Sequence, residues 1–91
     1  MYKYEEEKQF VFTDEGQRLL LHTRDALNAL TACAGACTVD RVFGKISAGS
    51  FDSWNLLACI DRLVELGEFS YVDLSNAVAT QHRILRKGPR S

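Results

Sequence analysis

Between residues 50 and 67 a start signal, a hydrophobic period and a stop signal agree, in the run SFDSWNLLACIDRLVELG. Ser50 or Asp52 caps the open N–H groups of a first turn, Leu56, Leu57, Ile60, Leu63 and Val64 recur at helical spacing, and Gly67 suits the left-handed conformation that ends a helix. The pattern predicts a helix over 51–66, about four turns at 3.6 residues per turn. On a helical wheel the five apolar residues lie together. Asn55, Ala58, Arg62 and Glu65 fall opposite them, with Trp54 and Asp61 along one border. One face is expected to pack and the other to be free to bind.

The rest of the chain supplies one core and no more. At 91 residues it buries somewhat more than the roughly 60% of unfolded surface expected of a sixty-residue domain. A single proline argues against a long linker or disordered tail. The longest apolar runs fall short of the roughly 18 residues that a membrane span needs, and MYKYEEEKQF carries acids where a secretory signal has an apolar core. A cytoplasmic protein without membrane contact is expected. The three cysteines, Cys33, Cys37 and Cys59, sit among alanines and leucines, which predicts buried, reduced thiols. The net charge of −1 conceals an uneven distribution: Arg83, Arg86, Lys87 and Arg90 lie beyond residue 80, and all 12 acids precede it.

Residues 1–12 are read as an N-terminal arm. Its Tyr2, Tyr4 and three glutamates suit solvent, and KQFVF at 8–12 has the alternation of a short strand, with Phe10 and Phe12 on one side and Val11 on the other. Thr13 then caps a helix whose first turn holds Asp14 and Glu15, where the helix dipole favours negative charge. Leu19, Thr23, Ala26, Leu27, Leu30, Cys33 and Ala34 keep one face of it for about twenty residues. A break at Gly35 is preferred, followed by a second cap at Thr38 and a two-turn helix through Val39, Val42, Phe43 and Ile46; one continuous helix from Asp14 to Ile46 is the alternative. SAGS, at 47–50, joins that helix to the next as a turn. After Gly67 the period changes. Residues 68–72 suit a strand, DLSNA at 73–77 a turn and QHRILR at 81–86 a returning strand.

Helix, short helix, turn, a helix ending in LVELGE, strand, loop and strand is an order that resembles the winged helix-turn-helix superfamily. IDRLVELGEFSYV followed by QHRILRKG carries most of the resemblance, with Leu63, Leu66, Gly67 and Phe69 where the family turns its third helix into the wing. It implies a mainly α fold with a small β-hairpin wing (α+β), in which 13–88 form a three-helix winged domain and 89–91 a polar end. It also implies that Ser53, Trp54, Asn55, Ala58 and Arg62 face a DNA groove while His82, Arg83, Arg86 and Lys87 lie in or beside the wing near phosphates. Asn suits adenine edges, Arg suits guanine edges, and the basic end adds attraction for any sequence. Against this, Asp52, Asp61, Glu65 and Glu68 outnumber Arg62 on that helix and its exit.

Trp54 is read either as an interface anchor or as a residue packed on a neighbouring helix, and the basic cluster either as a phosphate contact or as a solvated strand end. His22, His82, Cys33 and Cys37 lack any paired CxxC spacing, so no metal or cofactor is expected. With no GxSxG, HExxH or phosphate-binding glycine loop, the chain is expected not to be an enzyme. Two readings remain. One is a small DNA-binding transcriptional regulator working as a homodimer on double-stranded DNA, preferred on the base rate of the family. The other is a protein-interaction module on the same fold. Trp54 and Arg62 facing solvent beside a continuous positive surface favours DNA, whereas an apolar patch ringed by acids favours a protein partner.

Overall fold

The computed structural model describes residues 3–46, 53–72 and 83–89. It is mainly helical with a small three-stranded antiparallel sheet: α1 (Tyr4–Glu7), a 3-10 segment (Lys8–Phe12), α2 (Asp14–Ala34), β1 (Ala36–Thr38), α3 (Val39–Lys45), α4 (Ser53–Glu65), β2 (Phe69–Tyr71) and β3 (Ile84–Lys87). The expected SAGS turn, the caps Ser50 and Asp52, the DLSNA turn and His82 lie outside the described residues.

The helix ends form where the local chemistry asks for them. Thr13 Oγ1 accepts the Gly16 N–H at 3.0 Å and opens α2. Gly35, at φ 78°, closes it and gives its own N–H to the Thr31 carbonyl. The break is therefore real, and Thr38 caps α3 by accepting the Arg41 N–H at 3.3 Å. At the end of α4, Glu68 N–H reaches back to the Leu63 carbonyl and Gly67 N–H to the Val64 carbonyl. That is a Schellman closure, with Gly67 at φ 82°.

Two expectations fail. The chain between α2 and α3 is not a plain connection but a strand, β1, that pairs with β3. Nor is KQFVF a strand. Wound at about three residues per turn, it drives Val11 wholly into the core, leaves Phe12 in solvent and packs Phe10 against the core, whereas alternation pairs Phe10 with Phe12 on one side.

The sheet order is β1-β3-β2, so the strand latest in sequence lies in the middle. Cys37 stands opposite Leu85 on one side of β3 and Tyr71 opposite the same Leu85 on the other. Leu27, Val39, Val42, Leu56, Ile60, Leu63, Phe69 and Leu85 are fully or almost fully buried and form one core between α2, α4 and the inner sheet face. Thr23 and Thr31 are buried with them. Their hydroxyls donate to the Leu19 and Leu27 carbonyls, each at 2.7 Å, so neither enters the core unsatisfied.

Candidate binding surfaces

Trp54, Ala58 and Arg62 follow one another at intervals of four on α4 and so share one stripe of that helix. The sequence assigns this stripe to solvent. The structure lays the N-terminal arm along it. Ala58 is fully buried, which corrects its place on a free face, and the arm is not a loose extension. Val11 enters the core beside α4, and the Tyr4 hydroxyl donates to Glu65 Oε1 at 2.8 Å. Arg62 is half-buried. Its Nη1 bonds Glu65 Oε1 at 2.7 Å, and its guanidinium carbon lies 5.1 Å from the centroid of the Phe12 ring. The Arg62 guanidinium, and after it the Tyr4 hydroxyl, holds the Glu65 carboxyl below the usual carboxylate range.

What this leaves in solvent is the first turn of α4 and an aromatic flank. Ser53 is exposed and Asn55 half-buried. Trp54 is 41% exposed and Phe12 59% exposed, one near each end of the stripe. Phe12 is a surface residue that the strand reading of KQFVF could not find. Gly16 offered a signal: it is a glycine in the first turn of α2, and Phe10 and Val11 pack so closely on it that a Cβ would stand 1.9 Å from the Phe10 carbonyl oxygen.

The acids that weighed against a nucleic-acid face are largely engaged within the fold. Asp61 accepts the Tyr71 hydroxyl, and Glu68 takes a two-pronged bond from Arg24, at 2.7 and 2.9 Å, that ties the end of α4 to α2. Burial, and then the Asp61 charge, pushes the Tyr71 phenol well above its ordinary range.

The basic strand is likewise less free than its sequence suggests. Arg83 folds over the Tyr71 ring, 5.6 Å from its centroid, and its buried Nε has no hydrogen-bond partner among the described residues. Lys87 donates to Asn28 Oδ1 at 2.6 Å and lies over the Phe69 ring. Arg86 alone of the three is exposed with no such tie among the described residues. It stands on the outer sheet face beside the exposed Ile84.

Cys37 and Cys59 are buried as expected, and burial pushes the Cys59 thiol up to about 12. Cys33, in the last turn of α2, is exposed instead, because the apolar stripe of α2 runs past the end of the core there. Among the described residues no three His, Cys, Asp or Glu side chains come together, and no helix is long and apolar enough to cross a membrane. Compared with protein-family models, curated proteins and solved structures, the chain matches none of them.

Proposed function

We propose that this chain is a non-enzymatic winged-helix module that binds another protein through the Trp54–Arg62–Phe12 stripe. The winged-helix part of the reading is supported by the element order helix, strand, helix, helix, strand, strand, with a β1-β3-β2 sheet. The observation that carries the partner class is that Arg62, already held in place by Glu65 and the exposed Phe12 ring, shares one helical stripe with the exposed Trp54 two turns away. Tryptophan and arginine dominate binding energy at protein interfaces, and an arginine fixed before binding loses little side-chain freedom on docking. An arm seated on α4 and a buried Ala58 leave little of that helix to enter a DNA groove.

A second reading, a DNA-binding regulator, keeps one observation in its favour: Arg86 is exposed on β3 and has no ion pair among the described residues. One pair of measurements separates the two. Wild-type protein and Trp54→Ala are used to capture partners from the source cells. The same protein is titrated with a labelled mixed-sequence duplex from low to physiological salt beside Arg86→Ala. A captured protein lost with Trp54→Ala supports the interaction module. Salt-sensitive duplex binding that Arg86→Ala weakens, with no Trp54-dependent capture, replaces it with the regulator.

A further inference from the structure

A second surface lies away from the α4 stripe, along the outer edge of β1. Hydrogen bonding in an antiparallel pair alternates residue by residue. Val39 N–H bonds the Arg83 carbonyl, so 39 and 83 form a hydrogen-bonded pair, and with Cys37 opposite Leu85 that pair is bonded too. Ala36 and Thr38, opposite Arg86 and Ile84, are then the residues whose backbone groups turn away from β3. Thr38, as the cap of α3, commits its carbonyl to the helix. The outer edge therefore offers Ala36 N–H, Ala36 C=O and Thr38 N–H.

Beside them lies an open groove of about 240 Å³, lined by Leu30, Cys33 and Ala34 at the end of α2, by β1 itself and by Arg41 of α3. Arg41 is exposed and has no ion-pair partner among the described residues. Its charge is felt inside the groove, where it opposes the upward push of burial on the Cys37 thiol. Among the described residues, then, a strand edge without a partner strand, an apolar groove side and a guanidinium without an ion pair lie together, and these are the parts of a strand-addition site.

We propose that the outer edge of β1 docks an extended acidic peptide, which joins the sheet beside β1 with a carboxylate on Arg41. The same edge of a second copy is the competing occupant, and broadening of the Ala36 and Thr38 amide signals that grows with protein concentration in the absence of peptide overturns the proposal. Charge complementarity to Arg41 makes the peptide acidic, and the open carbonyls at the end of α2 place its carboxylate at the α3 end of the groove.

The test uses the whole chain, labelled with nitrogen-15, and a pool of N-acetylated hexapeptides of alternating Val and Thr with one Glu at each position in turn. The expected result is movement of the Ala36 and Thr38 amide signals ahead of the rest, with slower alkylation of the exposed Cys33. N-methylation of alternate peptide amides in one register should abolish binding and in the other leave it intact. Arg41→Ala should weaken binding about fivefold, and Arg41→Glu should turn the preference to a pool bearing Lys in place of Glu. No movement at Ala36 and Thr38 with millimolar pool, or binding indifferent to N-methylation in both registers, overturns the proposal. Because the groove and the α4 stripe share no residue, either result leaves the Trp54 reading to its own experiment.

Discussion

The Tyr4 hydroxyl and the Glu65 carboxylate meet at 2.8 Å across 61 residues of sequence, and that bond pins the start of the described chain to the last turn of α4. It is a surface bond, since the Glu65 side chain is 45% exposed, and its worth is modest. Tyr4→Phe should cost about 0.5 to 1 kcal/mol in urea unfolding at neutral pH. Glu65 has a lowered folded pKa, so its contribution is present above the ordinary value of 4.5 and is lost as pH falls through the folded value. The stability gap between wild type and Glu65→Gln should therefore close on acidification below that value. A gap that stays constant from neutral pH to pH 3 would sink the assignment of the arm to Glu65.

Two glycine substitutions should act in opposite directions. At Gly16 a Cβ meets the Phe10 and Val11 backbone, which has no flexible end to swing aside. Gly16→Ala should destabilise by about 1 to 3 kcal/mol despite the better helix propensity of alanine. At Gly44, inside α3, a Cβ meets nothing within 4 Å, so Gly44→Ala should stabilise by up to about 1 kcal/mol. Thermal unfolding of both variants checks the pair, and a stabilised Gly16→Ala would mean that the arm does not pack as described.

Leu63 faces both α2 and the sheet with no exposure, and Leu63→Ala should lose about 2 to 5 kcal/mol. Arg86→Ala, exposed on the strand, should change stability by less than about 0.5 kcal/mol. Arg83→Ala belongs with the first group in kind, because it strips a side chain from the Tyr71 ring. A binding defect in an Arg83 variant is therefore interpretable only beside its unfolding curve.

Alkali should weaken the fold through Cys59. Its thiol is raised by burial from 9.0 to about 12, so both states hold the proton below pH 9 and only the unfolded chain gives it up between pH 9 and 12. Stability is full below pH 9 and declines above it by about 1.4 kcal/mol per pH unit from this group. Above pH 10 the half-buried Tyr71 phenol, also raised, steepens the fall. Cys59→Ala should flatten the decline between pH 9 and 10, as read from urea midpoints at each pH.

The parts of the fold visible in the sequence are those fixed by local chemistry. Thr13, Thr38, Gly35 and Gly67 each mark a helix end by what one side chain or one backbone conformation permits within a turn. β1 was not visible, because ACT has neither alternation nor strong strand preference and becomes a strand through its pairing with Ile84–Arg86. The same limit governs the site. A wheel sorted Leu56, Ile60 and Leu63 correctly onto a packed face, but it has no means of registering a second body on the other side, and so Ala58 was misplaced when the arm covered it. Arg83 and Lys87 were visible as charges, whereas their seats on Tyr71 and Phe69 depend on how two strands come together.

The middle strand of the sheet has a kinetic consequence. Among the described residues β1 and β2 pair with no strand but β3, and β3 follows both in the chain. During synthesis neither earlier strand meets this partner until Ile84–Lys87 has been made, and packing of the helices is expected to hold Ala36–Thr38 and Phe69–Tyr71 apart by one strand's width. Insertion of β3 between them is a long-range event, and it is expected to come late in folding. A chain halted at residue 82 is expected to keep its helical far-ultraviolet signal while exposing the inner faces of Cys37 and Phe69, and a supplied Arg83–Gly88 peptide is the natural piece to complete it.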